Sequence, residues 1–450
     1  MPNQKTKKSR GYILLTILVF TALGTFIMLS LSGWFSILFT SAKRLNNSEQ
    51  AFQIAEAGIE YYRWHLAHNP TDYKDGGQSA GPYVHSYYDR DNKKIGTFSL
   101  DITPPTVGST IITIISTGRV DVSSSTYRKI KVRMAIPSLA RFAVAADEMM
   151  RFGEGTEVFG QIQVNNGVRF DGLAHNLVAS SKASYDDPDH TGGSELGVHT
   201  HVTTPPNSQV TDNYVAAEAP PNSLPNRPDV FLGGRQISVP AFDFTGITQN
   251  LSNMKTIAQT SGKYLGNSGV EGYHIVLKTN DTYDLYKVNK QYKVQGACAN
   301  KSDQENWSQW SIGTETIISS NLAFPTNGLI FAEDNIWVDG TINTAHLTIA
   351  SARFIDNNLN KNNIIINNDI KYTNHDGQDT MALIAQGNIN VGLVSEDNLE
   401  IDAALIAQNG RVGRYYYDHS QCEAYDTRST ITLYGMIATN LRYGFAYTDG

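Results

Sequence analysis

The residues best equipped for chemistry in this chain fall within fifteen positions: Asp187, Asp189 and His190, then His199 and His201. His199 and His201 are two residues apart, so on a strand both imidazoles point to one face, a known way to place two metal ligands. The aspartates add the oxygen donors that hard cations take. The segment is also rich in Gly, Ser and Pro, the composition of a solvated loop. On that reading no metal and no other cofactor is assigned.

Little else suggests catalysis. The sequence contains no G-x-S-x-G, no H-E-x-x-H and no glycine-rich phosphate loop ending in Lys-Ser/Thr. The chain therefore reads as a non-enzymatic structural subunit; the alternatives are a membrane-anchored β-helical surface or adhesion protein that is not polymerised and, behind it, a carbohydrate-active enzyme on a β-helix. Tyr415, Tyr416, Tyr417, Trp307, Trp310 and Trp337 are candidates for a surface that binds glycans or proteins. Cys298 and Cys422 are the two cysteines, too few for a disulfide framework and without zinc-type spacing. They are candidates to pair with each other if they lie outside a cell.

The elements that position these residues begin with an apolar segment. The 450-residue chain has a net charge of −7, while Lys5, Lys7, Lys8 and Arg10 make its first ten residues +4. No basic face follows, so nucleic acid is not an expected partner. From Gly11 to Phe39 there are 29 residues without a charge, and about 20 suffice to cross a bilayer. The basic cluster ahead of them belongs on the cytoplasmic side. Three readings fit: a cleaved signal peptide with a small-residue site at Thr40–Ser41–Ala42, a plain anchor, or a segment that continues into a longer helix. The first requires an apolar core of only about 7–15 residues. Beyond Arg44, the residues Leu45, Phe52, Ala55, Ile59, Tyr62 and Leu66 trace one helical stripe, and Pro70 ends the pattern. A helix over 12–70 follows, amphipathic in its second half.

A basic leader closing in Arg10–Gly11, an uninterrupted apolar run and then Ala51-Phe52-Gln53-Ile54-Ala55-Glu56-Ala57-Gly58-Ile59-Glu60 resemble the amino-terminal domain of PilX-type minor pilins of the type IV pilus system. The resemblance covers about residues 1–70. It implies a leader over 1–11, cleavage by a prepilin peptidase after Gly11, and N-methylation of Tyr12. It also implies a single-pass protein of the cytoplasmic membrane with an extracytoplasmic head that reaches a pilus or the cell surface. The implied partners are the lipid bilayer, other pilin subunits and the pilus assembly machinery. Major pilins carry a glutamate at the fifth mature position; here that position is Thr16, which shifts the expectation towards a filament tip or an accessory role.

Residues 71–94 read as a loop. Residues 129–136 alternate polar and apolar, and with 96–102 and 110–116 as neighbouring strands they predict a small antiparallel sheet within 71–137 that packs on the helix. From 138 to 450 short apolar strands recur between Asn/Gly corners. Leu383–Ile389 resembles Leu405–Val412 at a spacing of 22 residues. Such spacing predicts a β-solenoid, resembling a parallel β-helix, with Ile349, Ile364, Ile366, Ile389, Val391, Ile401, Leu405, Ile431, Leu433 and Ile437 inside. A β-sandwich is the alternative. Residues of about 173–327 read as an insertion, with an exposed proline-rich connector, a short helix near 247–260, and a hairpin turning at Asn280–Asp281. The expected class is mainly β with one long amino-terminal helix.

Overall fold

The computed structural model describes residues 11–70, 72–77, 80–105, 111–135, 139–242, 244, 246–292, 310–354, 361–417 and 425–445. Residues 1–10, Trp307, Cys298 and Cys422 lie outside them, so the leader and the disulfide candidates carry no structural account. The chain divides into two compact units, Met1–Pro137 and Ser138–Gly450. It is mainly β, with one long amino-terminal helix, a small antiparallel sheet and a large parallel sheet.

Helix α1 spans Gly11–His68, about 87 Å at 1.5 Å per residue. Apolar side chains from Tyr12 to Leu45 are exposed, whereas Ala51, Ile54, Ile59 and Tyr62 of its second half pack on a sheet. That sheet contains β1 (Tyr83–Tyr88), β2 (Lys94–Thr103), β3 (Ile112–Val120) and β4 (Ser123–Met134), antiparallel in the order β1-β2-β3-β4. Strand β1 lies where the composition indicated a loop. Its burial alternates along the strand, and pairing with the edge of β2 outweighs the turn-like composition around it.

The stripe that docks differs from the one read in sequence. Leu45 and Phe52 are exposed, whereas Ala51, Ile54, Ala55, Ile59 and Tyr62 are buried. Small residues set the closest approach, beside the buried Ile54, Ile59 and Tyr62. A Cβ on Gly118 of β3 would lie 2.1 Å from the Ala51 carbonyl oxygen and 2.5 Å from the Ala55 nitrogen. A Cβ on Gly58 would lie 2.4 Å from Ser116 Oγ. The A-x-x-x-A-x-x-G spacing from Ala51 to Gly58 is thus a groove for close backbone approach.

The second unit is organised by parallel pairing. One ladder runs Lys263–Leu265, Leu329–Ala332, His346–Ser351, Thr380–Ala385, Asn398–Ala407, Thr430–Thr439, Phe142–Ala146, Gln161–Val164, Val178–Ser180 and Arg235–Gln236. A second runs Gly272–Lys278, Ile336–Ile342, Ile364–Ile365, Ile389–Val391, Val412–Arg414 and Gly444–Phe445. A third joins Met150–Phe152, Val168–Phe170 and Val198–His199. The segments similar at 22 residues are neighbours, with Leu383 opposite Leu405. Ile349, Ile364, Ile366, Ile389, Val391, Ile401, Leu405 and Ile437 are buried in the shared core, and Ile431 and Leu433 pack against it.

Sequence order and ladder order differ. The chain enters at Phe142–Ala146, runs to Arg235–Gln236 at one end, crosses to Lys263–Leu265 at the other end and returns, so that Ile437 comes to lie opposite Val144. The first ladder's ten strands span roughly 43 Å at about 4.8 Å per step. The crossing runs along that length. Residues 239–242 lie beside Ser180, Gln163, Asn165 and Phe142, covering roughly 13 Å at about 3.3 Å per residue. Helix α2, Gly246–Ser261, adds roughly 24 Å. It packs Leu251 and Ala258 on Leu329, Phe331, Ala350, Ala352 and Ile384. Residues 329–332 are therefore apolar on both faces: Ile330 and Ala332 point into the core, and Leu329 and Phe331 lie under α2.

Two expectations are corrected. Residues 173–327 are not one insertion, because Val178–Ser180, Arg235–Gln236, Lys263–Leu265 and Gly272–Lys278 belong to the ladders. Strands of two or three residues leave too short a pattern to read. The proline-rich stretch is not a wholly exposed connector either. Glu218 and Arg227 are buried in it, and the Arg235 guanidinium donates to Glu218 (Nη1–Oε2, 2.6 Å) and to the Pro225 carbonyl. The hairpin at Asn280–Asp281 forms as read, joining Gly272–Lys278 to Thr282–Tyr292.

Gly118→Val places a branched side chain into the Ala51–Ala55 backbone and is expected to cost ~3 kcal/mol or more. Chemical denaturation of the full chain in micelles, read by limited proteolysis of the first unit, checks this; wild-type resistance would contradict the close-approach account.

Candidate metal centre

The histidine and aspartate segment folds onto the end of the third ladder. Ser184–Tyr185 pairs antiparallel with Glu195–Leu196, and Asp187, Asp189 and His190 lie on the intervening connection. Val198–His199 then pairs parallel with Val168–Phe170, and His201 follows. Two glycines permit this packing: a Cβ on Gly167 would lie 1.9 Å from the Tyr185 ring, and one on Gly197 would lie 2.0 Å from the Lys182 carbonyl oxygen.

The segment is not a solvated loop. Asp187, Glu195, His199 and His201 are at most 1% exposed, and the His190 side chain is 1% exposed. Three imidazoles converge on one carboxylate oxygen. His190, His199 and His201 place Nε2 at 2.8, 3.0 and 3.1 Å from Glu195 Oε2. Asp187 Oδ2 lies 3.5 Å from His199 Nε2 and 4.0 Å from His190 Nε2. One donor atom each from Asp187, His190, Glu195 and His201 lie within 4.8 Å of one another.

The outer partners set which ring nitrogens are free. His199 Nδ1–H donates to the Leu196 carbonyl at 3.2 Å, and His201 Nδ1–H donates to the Thr211 carbonyl at 2.8 Å. Backbone carbonyls accept only, so these two rings hold a proton on Nδ1 and turn Nε2 inward. Glu195 Oε1 accepts the Val215 N–H at 2.9 Å, and Asp187 Oδ1 accepts the Asp189 N–H at 3.0 Å. His199 Nε2, Asp187 Oδ2 and His190 Nδ1 have no hydrogen-bond partner of acceptable geometry among the described residues.

Burial alone would raise the carboxyl pKa values here, but the imidazoles and backbone N–H groups outweigh it. Asp187 is brought down to about 2, chiefly by His199, and Glu195 is held well below the usual carboxylate range by His199 and His201. Burial would lower the His199 pKa, yet the two facing carboxylates raise it. Asp189 stands apart from the other candidates. Its carboxylate accepts from Arg442, with Nη1–Oδ1 at 2.8 Å, and lies 3.5 Å from Arg151 Nη1. Behind the cluster, the fully buried Arg169 donates to Asp171 at 2.7 Å and to Asp212 at 3.2 Å, and Asp171 accepts the His201 N–H.

Chemically, the arrangement offers imidazole nitrogens and carboxylate oxygens to one small cation. Four of the five residues singled out from sequence meet there: Asp187, His190, His199 and His201. Glu195, the centre of the convergence, carries no sequence signal beyond following Gly-Gly-Ser. Among the described residues the aromatic candidates do not form a binding surface. Trp310, Trp337, Tyr415 and Tyr417 are buried in one cluster, Trp337 Nε1–H donates to the Trp310 carbonyl, and only Tyr416 among the described members is exposed. The Arg414 guanidinium, itself buried, stacks on Tyr417.

His274 shows a contrasting use of imidazole. Its Nδ1 meets Glu315 at 2.8 Å and its Nε2 meets Asp339 at 3.1 Å, the pattern of a protonated ring between two acceptors. Burial lowers its pKa, but hydrogen bonds to Asp339 and Glu315 raise it overall.

Among solved structures, the competence-associated pilin ComZ from Thermus thermophilus aligns with this chain at 10% identity and a TM-score of 0.25, over 90% of this chain and 89% of that chain. At that score the likeness carries no argument. No protein-family model and no curated protein matches the sequence.

A pKa raised on folding stabilises fully below the unfolded value, near 6.5, and the contribution is lost as pH rises through the folded value. The His274 contribution should therefore decline above about pH 6.5. His274→Gln should remove that component of the decline in denaturation midpoints measured across pH; a variant curve parallel to wild type would count against the ion pairs.

Proposed function

We propose that this chain is a membrane-anchored, pilin-like structural subunit with no catalytic role. Its helix is held in the cytoplasmic membrane before assembly, and its head is extracytoplasmic. The observation that carries the reading is the division of α1. In its first half Ile13, Leu14, Phe20, Phe26, Leu29 and Phe35 are all more than half exposed. In its second half a small-residue groove is packed on the antiparallel sheet. Across the most apolar 18-residue window nothing is buried, a state that water penalises and hydrocarbon does not. The hydroxyls of Thr16, Thr21, Thr25, Ser30, Ser36 and Thr40 donate to carbonyls three or four residues back. Such back-bonding satisfies them without water.

On this reading the partners are the bilayer, a prepilin peptidase, other pilin subunits and their assembly machinery, and the destination is a pilus or the cell surface. The parallel registers support a β-solenoid for the second unit. The domain division proposed is a leader to residue 11, the helix over 12–70, the small sheet over 71–137 and the solenoid beyond. Thr16 presents no charge: its hydroxyl is tied to the Tyr12 carbonyl at 2.8 Å. A subunit without a carboxylate there neutralises no neighbour's amino terminus, which suits a tip or accessory place.

Mass spectrometry of the chain isolated from membranes tests the reading. Cleavage after Gly11 with a methylated Tyr12 is expected, and an intact leader overturns processing. Thr16→Glu should change the amount of chain recovered with sheared filaments by several-fold; unchanged incorporation removes the argument for a tip.

A further inference from the structure

Five titratable side chains are buried together in the second unit, and their hydrogen bonds do not close. Glu195 Oε2 faces three imidazole Nε2 atoms at 2.8–3.1 Å, but one carboxylate oxygen offers two lone pairs. With Nδ1 of His199 and His201 donating to carbonyls, neutral rings turn lone pairs towards the carboxylate, which is repulsive. Protonating all three rings instead requires three donors to share one oxygen. The consequence is visible at His199 Nε2, fully buried, aimed inward and without a hydrogen bond of acceptable geometry, and at Asp187 Oδ2 opposite it.

We propose that Asp187, His190, Glu195 and His201, whose donor atoms lie within 4.8 Å of one another, bind a divalent transition-metal ion of the zinc class, with His199 beside them as a further nitrogen ligand. Ligands about 2.05 Å from a tetrahedral ion stand roughly 3.3 Å apart, close to the three Nε2–Oε2 separations. Three imidazole nitrogens select against Ca²⁺ and Mg²⁺, which take oxygen. Carbonyls on the far ring nitrogens are the outer contacts that metal-bound histidines make. Two carboxylates with three neutral imidazoles leave a charge of −2 for the ion to offset. The ligand side chains are at most 1% exposed, so the site is closed and structural rather than open to a substrate. It joins the 186–194 connection, the strand Val198–His199 and, through the Thr211 carbonyl and Val215 N–H, the segment beyond, over the end of the third ladder. The other grouping, His375 with Glu400 and Asp402, is exposed at His375, and the Lys371 ammonium lies 3.0 Å from Glu400.

The proposal is independent of the membrane reading. The test uses the full chain purified in micelles without chelator, its metal content measured by elemental mass spectrometry. The chain is then stripped with chelator and titrated with Zn²⁺ or Ca²⁺ by calorimetry and thermal unfolding. The expected result is about one equivalent of transition metal and one-to-one Zn²⁺ binding. At about 100-fold excess over Kd, the unfolding temperature of stripped wild type should rise by roughly 5 °C or more. The double variant His199→Ala/His201→Ala should lose the equivalent, and His375→Ala should retain it. Wild type that yields no metal and answers Zn²⁺ with neither heat nor a thermal shift overturns the site. Binding of Ca²⁺ alone, or an equivalent that survives in a folded double variant, overturns it as well. If the double variant does not fold, the stripped wild type decides.

Discussion

The parallel pairing of Thr430–Thr439 with Phe142–Ala146 joins two parts of the second unit that are made at opposite ends of its sequence. Without it the ladder would have two interior edges, each presenting unpaired N–H and C=O groups. Everything from Phe142 to Arg235 would stack on nothing, and everything from Lys263 to Thr439 would end on an open face. The pairing demands a crossing of about 43 Å at 4.8 Å per step. Residues 239–242 and α2 lie along that path and cover the outer face of the strands they pass. The apolar residues on both sides of Leu329–Ala332 fit this crossing, which places α2 on their outer face.

The crossing also explains where polar residues collect. The end of the stack at Val178–Ser180 and Arg235–Gln236 needs a cover, and the cover is made by residues 181–231. It is poor in apolar side chains, so burial there is achieved by charge. Arg235 holds Glu218, Arg169 holds Asp171 and Asp212, and Arg442 holds Asp189. The imidazole cluster around Glu195 differs from these pairs because its donors and acceptors do not balance internally.

In the first unit the decisive constraint is thickness. Gly118, Gly96 and Gly58 are positions where a Cβ would meet backbone or ring atoms, so the sheet lies directly against the helix backbone at Ala51 and Ala55. Larger side chains at Ala51 and Ala55 would hold the sheet further off. Leu45 and Phe52 remain exposed although they fit the same periodicity.

Some of this was legible in the sequence because it depends on local order alone. An uncharged run of 29 residues needs only its length to define a long apolar helix. A repeat at 22 residues already places Leu383 beside Leu405, since parallel strands align like positions. The alternation at Ile130, Val132 and Met134 is a strand pattern whatever its neighbours. Other features exist only through contacts between distant segments. Strands such as Arg235–Gln236 are too short to show a period and are defined by the partner strand. The burial of Trp337 and Tyr417 depends on packing that composition does not reveal. Spacing brought His199 and His201 under suspicion, but Glu195 became their centre only when the chain folded back on Ser184–Tyr185. Sequence distance determined which residues could share a face; tertiary packing decided which of them lost their water, and it is the loss of water that turns a polar loop into a site.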